Sequence, residues 1–374
     1  MMISMEQLVA EAIELPSISE VSLSAWSEKC TAMTAFVNES MSARSDIQFL
    51  IGNNPLRMMF DNHENHVAFM RTVFGFGNYE MLAKTLPWVY RSYSAHHFSH
   101  DYFLVVLGVW LESLSEFMES DLSVEIRKIY EWIISRHADI VQMSKIGKAE
   151  SSSGSFKIDN PRLETKNLFL SALLEGEHKK CLKIANELVS EGIEIEDFYM
   201  NIVQPSMYEI GNLWEKGRVS VAQEYLASAI VGRVLVSISM IVSQTREKAG
   251  KIVVASAPNE YHEIGGWMIS DIMEHSGWTV RYLGANMPCR DLLDLLRTFQ
   301  PEILALSVTM AFNVLELKSI IASVRSDNSL SGIKIMVGGQ PFNQFEGLWR
   351  ETGADGFASD PTEARELARR WIQK

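Results

Sequence analysis

The sequence predicts an α + α/β protein: an all-helical N-terminal region, then a four-helix bundle, then a doubly wound parallel sheet. Three observations predict it. Apolar residues recur at three and four spacing through residues 1–147 and again through 162–246, as amphipathic helices require. From Lys251 onward, short β-branched runs alternate with single helical stretches, which is the pattern of parallel βαβ units. Between them, Lys148-Ala-Glu-Ser-Ser-Ser-Gly-Ser-Phe-Lys157 carries no periodicity, and small polar residues of this kind make a linker. The expected boundaries are 1–147 for the first region, 148–161 for the linker, 162–247 for the bundle and 248–374 for the sheet.

In the first region Phe103, Val106, Leu107, Trp110, Leu111, Leu114 and Phe117 form one helical stripe. Pro55 and Pro87 are expected where helices start or stop. Aromatic side chains crowd this region (Trp88, Tyr90, Tyr93, Phe98, Tyr102, Phe103, Trp110). Six of the nine histidines lie here too: His63, His66, His96, His97, His100 and His137. The second region reads as helices near 162–175, 178–191, 195–216 and 220–246, turning at Gly176, Gly192 and Gly217. Short loops make such helices antiparallel neighbours in a bundle. In the last region the strands are expected at 252–256, 279–283, 303–307 and 333–337, with helices near 263–276, 289–299 and 313–326.

Composition narrows the function classes. A net charge of −13 repels a phosphate backbone, and no basic recognition helix stands out, so nucleic-acid binding is not expected. No run of about 18 uncharged apolar residues suggests a membrane span. The N-terminus lacks a basic segment followed by an apolar one. Cys30, Cys181 and Cys289 are far apart and read as free thiols of a reducing cytoplasm.

Ligands of open α/β sheets bind at the carboxyl ends of the strands, so the chemistry is sought there. The first strand runs into Ala257-Pro-Asn-Glu260-Tyr261-His262-Glu-Ile264-Gly265-Gly266. Imidazole is a good ligand for a first-row metal. A carboxylate on its other ring nitrogen fixes the tautomer and raises basicity, which casts Glu260 as the partner of His262. Glycines let a large flat ligand approach the backbone. The third strand ends in Ser307-Val-Thr309 and the fourth in Gly338-Gly339, adding hydroxyls and open space at the same edge.

These residues resemble the cobalamin-binding modules of methionine synthase, corrinoid carrier proteins and B12-dependent photoreceptors. Those share D/E-x-H-x-x-G, then S-x-L or S-x-T, then G-G. The likeness spans about residues 162–374 and implies a four-helix cap before a Rossmann-like domain. It implies base-off, His-on binding, with His262 as the lower axial ligand of cobalt. Glu260, Tyr261, Ile264, Gly265, Ser307, Thr309, Gly338 and Gly339 would line the corrinoid. The displaced base would enter between the Ser307-Thr309 and Gly338-Gly339 loops. A hydroxyl such as that of Ser307 would tune His262 through Glu260.

Within that group the sequence is most similar to the adenosylcobalamin photoreceptors. Their cap motif W-x9-E-H is matched by Trp214 and Glu224, with Tyr225 in place of the histidine. Some members also carry a histidine directly after the tryptophan, where this chain has Glu215. Trp214 and Glu224 would then shelter the adenosyl group. The N-terminal region resembles that of photocobilins, which add a bilin, so a second chromophore, biliverdin, is expected near His96, His97 and His100. The resulting expectation is a light sensor using adenosylcobalamin, with a protein partner on the N-terminal helices and a homo-oligomeric assembly. The alternatives are a corrinoid methyl carrier of a methyltransferase system and a B12-responsive regulator without photochemistry.

Overall fold

The structure, a computed structural model, describes residues 3–146, 160–190, 192–240 and 249–372. Residues 148–159 of the expected linker lie outside the described residues. The chain divides into two compact units: 1–151 with 215–217, and 152–214 with 218–374.

The first unit is all helical: α1 (Met5–Ile13), α2 (Glu20–Ser42), α3 (Ile47–Leu50), α4 (Leu56–Phe76), α5 (Tyr79–Ala95), α6 (Asp101–Phe117), α7 (Ser120–Ser135) and α8 (His137–Ile146). Local chemistry marks several ends. Ser4 and Gln7 form a capping box on α1, Asn78 caps α5, and Gly77 closes α4 in the left-handed conformation, each supplying partners to orphaned helix-end groups. Pro55 is the N-cap of α4, as expected. Pro87 is not a boundary: it lies inside α5. A mid-helix proline removes one main-chain hydrogen bond. Here the helix persists because Leu82, Ala83, Leu86 and Tyr90 are buried around it.

The aromatic cluster is the core of this unit. Tyr90 stacks on Phe103 with centroids 3.6 Å apart, and Tyr93 meets Phe98 edge-on at 5.1 Å. His63 is buried, bonded to Asn38 Oδ1 (2.5 Å) and the Tyr102 hydroxyl (2.8 Å). His66 bonds the Tyr130 hydroxyl at 2.9 Å. Burial pushes His63 down to about 4 and His66 to about 3. Both shifts favour the neutral ring, and each imidazole bonds a tyrosine hydroxyl.

The second unit begins with the cap: α9 (Leu163–Leu174), α10 (His178–Ser190), α11 (Ile195–Phe198), α12 (Gln204–Glu215) and α13 (Val221–Ser239). The stretch expected as one helix over 195–216 changes hydrogen-bond pattern in its middle, where Tyr199–Val203 form a π-turn. Ser220 and Gln223 make a capping box on α13. By length and hydropathy α13 would pass for a membrane span. It carries Glu224 and Arg233, and Ala227, Val231, Val234, Leu235 and Ile238 are fully buried in the cap core.

The sheet follows: β1 (Gly250–Ser256), α14 (Ile264–His275), β2 (Trp278–Tyr282), α15 (Cys289–Phe299), β3 (Ile303–Ser307), α16 (Val314–Ser326), β4 (Lys334–Gly338), α17 (Gln340–Gln344), α18 (Leu348–Glu351), β5 (Gly356–Ala358) and α19 (Pro361–Ile372). All pairings are parallel and the order is β2-β1-β3-β4-β5. β5 escapes sequence reading because its three residues are too few to show a period. Met268 and Ile272 of α14 join the cap core, so the cap packs on that helix, while Ile252, Val254, Met273 and Ile303 belong to a separate core on the sheet.

The register positions the site. Ser256 pairs with Ser307, Ser307 with Gly338, and Gly338 with Ala358. Three motifs distant in sequence therefore end on one line at the carboxyl edge. The order reverses between β1 and β3, the switch point at which such sheets open a crevice.

Candidate functional site

The loop after β1 carries the central pair. Asn259 adopts φ +59°, a left-handed turn that asparagine tolerates better than most residues. Its N–H donates to Asn286 Oδ1 (2.8 Å), and the Asn286 N–H donates back to the Glu260 carbonyl (2.9 Å). This ties the loop to the segment after β2. Glu260 is fully buried. Its Oε2 accepts from the N–H groups of Thr309 (2.8 Å) and Met310 (2.9 Å) and from the Asn313 amide (3.2 Å). Its Oε1 accepts from the His262 N–H (3.2 Å) and pairs with His262 Nδ1.

Burial raises the Glu260 carboxyl, but the His262 bond and charge and the two backbone donors outweigh it and hold it at about 2. His262 leaves 55% of its side chain exposed. Desolvation opposes its charged form. The Glu260 bond, the Glu260 charge and the Glu224 charge win, and its pKa sits above the usual imidazole value. Glu224, in the first turn of α13, accepts from the Ser228 hydroxyl at 3.0 Å. Its charge adds to that of Glu260 in favouring the protonated imidazole.

The expected relay through the Ser307 hydroxyl is replaced. Backbone amides of Thr309 and Met310 and the Asn313 side chain serve Glu260 instead. A fixed amide cannot rotate away as a hydroxyl can. Asn313, 2% exposed, was missed because an asparagine at a helix start reads as an N-cap. It occupies the N-cap of α16 yet makes no capping bond, and its amide reaches Asn259 O (3.1 Å) and Glu260. Asn286 carried no signal for a different reason: its role exists only once β1 and β2 are neighbours.

The glycines divide their work. A Cβ on Gly265 would meet nothing within 4 Å, so that side is open. Gly339 has φ +118°, and a Cβ there would meet the Val308 carbonyl at 1.8 Å; it lets the β3 and β4 loops touch backbone to backbone. A Cβ on Gly338 would meet the Ala358 carbonyl at 3.0 Å. Ser307 and Thr309 are half-buried at the same edge, and Tyr261 is 70% exposed. Ile264 packs against the cap core. Trp214 is half-buried near the end of α12.

The three histidines of the second expected site lie in the turn between α5 and α6. His96 caps α5 and places Nδ1 on the Ser92 carbonyl (2.7 Å), His97 sits in a left-handed turn at φ +70°, and His100 precedes α6.

A single imidazole cannot by itself hold a free metal ion, and among the described residues no group of three or more His, Cys, Asp or Glu is placed to do so. One oriented imidazole beside an open glycine suits a metal already held in a macrocycle. Comparison with known proteins agrees. Residues 166–236 and 250–367 match two models described as B12 binding domain. Dimethylamine corrinoid protein 3 of Methanosarcina acetivorans is 23% identical over 195 residues, covering 52% of this chain and 90% of the relative. A corrinoid protein of Desulfitobacterium hafniense is 21% identical over 208 residues, covering 54% and 95%. The solved Methanosarcina barkeri monomethylamine corrinoid protein, at 17% identity, gives a TM-score of 0.51 over 56% of this chain and 99% of its own; that likeness shows the fold.

Proposed function

The chain belongs to the B12-binding family through residues 166–236 and 250–367, and on that premise we propose that it is a corrinoid carrier protein that presents cobalt to a partner methyltransferase. The observation that carries this is the His262–Glu260 pair at the switch point of the sheet. With Nδ1 committed to Glu260, Nε2 is the ring atom left to meet cobalt, and the charge-assisted bond makes it the better donor. Gly265 leaves the backbone open to a flat ring, and the residues present fit the group. When bound, a corrinoid supplies a cobalt–carbon bond able to carry and release an alkyl group. This chain's residues orient the imidazole and hold the proton of the pair on Nδ1. The corrinoid relatives support a carrier over a light sensor.

One sequence feature favours a second reading, an adenosylcobalamin-dependent light sensor: Trp214 and Glu224 stand at the spacing of a cap motif that would shelter an upper ligand. Biliverdin near His96, His97 and His100 belongs to that reading, and co-expression with a haem oxygenase tests it by a red absorption band. A protein partner on the N-terminal helices, a homo-oligomer and a cytoplasmic setting are part of both.

The experiment loads the full chain with methyl- and adenosylcobalamin. Spectra with ¹⁵N-labelled histidine identify the lower ligand. Methyl release to a thiol or a methyltransferase with unchanged spectra under green light supports the carrier. Light-driven loss of the adenosyl group with a lasting spectral change supports the sensor. A lower ligand that remains the nucleotide base overturns both.

A further inference from the structure

Cap and sheet meet at a buried polar contact that the cobalamin site does not use. Tyr199, fully buried in the π-turn of the cap, donates its hydroxyl to Asp271 Oδ2 of α14 at 2.5 Å. Asp271 is 5% exposed. The Ser239 hydroxyl, at the end of α13, also bonds it. Close by, Glu196 of α11 pairs with Arg365 of α19 and accepts from Thr362 at 2.6 Å. That second contact is charge-balanced. Among the described residues no lysine or arginine pairs with Asp271. π-turns are rare and concentrate at functional positions, and this one places its first side chain on an unbalanced acid.

We propose that Tyr199 and Asp271 form a clasp that holds the cap on the sheet and loosens once Asp271 carries its charge. The groups around the carboxyl are few. Tyr199 and Ser239 face it from the cap, Glu274 and His275 from its own helix, and Tyr282 from β2. Arg365 of α19 is taken by Glu196. The facing strands β1 and β3 contribute apolar side chains such as Ile252, Val254 and Ile303. Burial pushes Asp271 up to about 6; the Tyr199 bond opposes it, Glu274 adds to it, and His275 and Ser239 oppose it.

Lifting the cap would wet the carboxyl and return it to the ordinary 3.8. The closed form therefore holds the proton more tightly. Closure is favoured in acid, opening grows as pH rises from about 4 to 6, and the level is flat above. A difference of about two pKa units bounds the change at about a hundredfold. At neutral pH the buried charge keeps the cap easy to lift from a site that must meet partners. The clasp rests on the corrinoid reading only for what it uncovers.

Hydrogen exchange of the full chain without cobalamin tests it, read by mass spectrometry between pH 4 and 8 and corrected for intrinsic rates. In the parent protein, opening of segments 199–215 and 264–275 should rise by some tens of fold from pH 4 to 7, with segments of the first unit as reference. Asp271→Asn, checked for folding by circular dichroism, should flatten the profile and protect these segments at least tenfold more at pH 7. Tyr199→Phe should open them more at every pH with the rise retained, and His275→Gln should keep the rise. A flat parent profile overturns the clasp, and needs no variant to fold. A rise that survives Asp271→Asn, or disappears in His275→Gln, overturns it as well. No outcome depends on cobalamin, so failure here is separable from failure of the carrier reading.

Discussion

Replacing Glu260 by glutamine isolates the interaction on which cobalt ligation depends. The substitution keeps size and shape but gives the side chain one acceptor and one donor end. Three donors, from Thr309, Met310 and Asn313, converge on Oε2 at 2.8–3.2 Å. Pointing an NH2 group at them would leave buried donors unpaired, at about 1–3 kcal/mol each. The amide oxygen therefore takes that side, and the NH2 faces His262 Nδ1. A donor facing Nδ1 selects the tautomer with its proton on Nε2, the atom cobalt needs. Ligation must then break that hydrogen bond and also lose the charge assistance, about 1.5–3 kcal/mol. His-on binding should weaken about 10- to 100-fold, the range seen when partners of metal-bound histidines are removed.

The pH dependence moves too. His262 has a raised pKa in the folded chain, so without cobalt the charged pair stabilises the fold below about 6.5 and that contribution is lost as pH rises through the folded value. Cobalt needs the neutral ring, so His-on affinity should fall as pH drops through that raised value, and the midpoint should shift down in Glu260→Gln. Titration of cobalamin with ¹⁵N-histidine-labelled protein, followed by absorption and by nitrogen splitting in the cob(II)alamin spectrum, measures both. Equal affinity and an unmoved midpoint in the variant would refute the reasoning.

His262→Ala should remove the protein nitrogen from the lower face altogether, read in the same spectra as loss of the ¹⁵N-sensitive splitting. Gly339→Ala should cost several kcal/mol, since left-handed strain alone is about 1–3 kcal/mol and the new Cβ would fall 1.8 Å from the Val308 carbonyl; a large drop in Tm is expected, and an unchanged Tm contradicts the packing. If the cap shelters an adenosyl group, Trp214→Ala should lower affinity for adenosylcobalamin more than for methylcobalamin, measured by calorimetry. No specific DNA binding is expected at a net charge of −13, and a nanomolar, salt-sensitive gel shift would contradict it.

Much of this was legible in the residues alone, and the reason is local. Periodicity sets helices and strands, so the all-helical start, the bundle and the alternating sheet could be read from spacing. The pairing of Glu260 with His262 is a contact two residues apart, which the loop sequence already contains. Ser307 and Gly338 were recognisable as strand ends.

Tertiary structure decided what depends on neighbours far apart in the chain. Only the order β2-β1-β3-β4-β5 and its register bring Asn286, Met310 and Asn313 onto the 257–262 loop. That replaced the expected Ser307 hydroxyl by fixed amides. Packing kept α5 helical through Pro87 and buried Tyr90, Phe98, Tyr102, Phe103 and Trp110 in the core of the first unit. Burial of Asp271 against Tyr199 also needs cap and sheet together, because a carboxyl on a helix face has an ordinary acidity until another element removes its water.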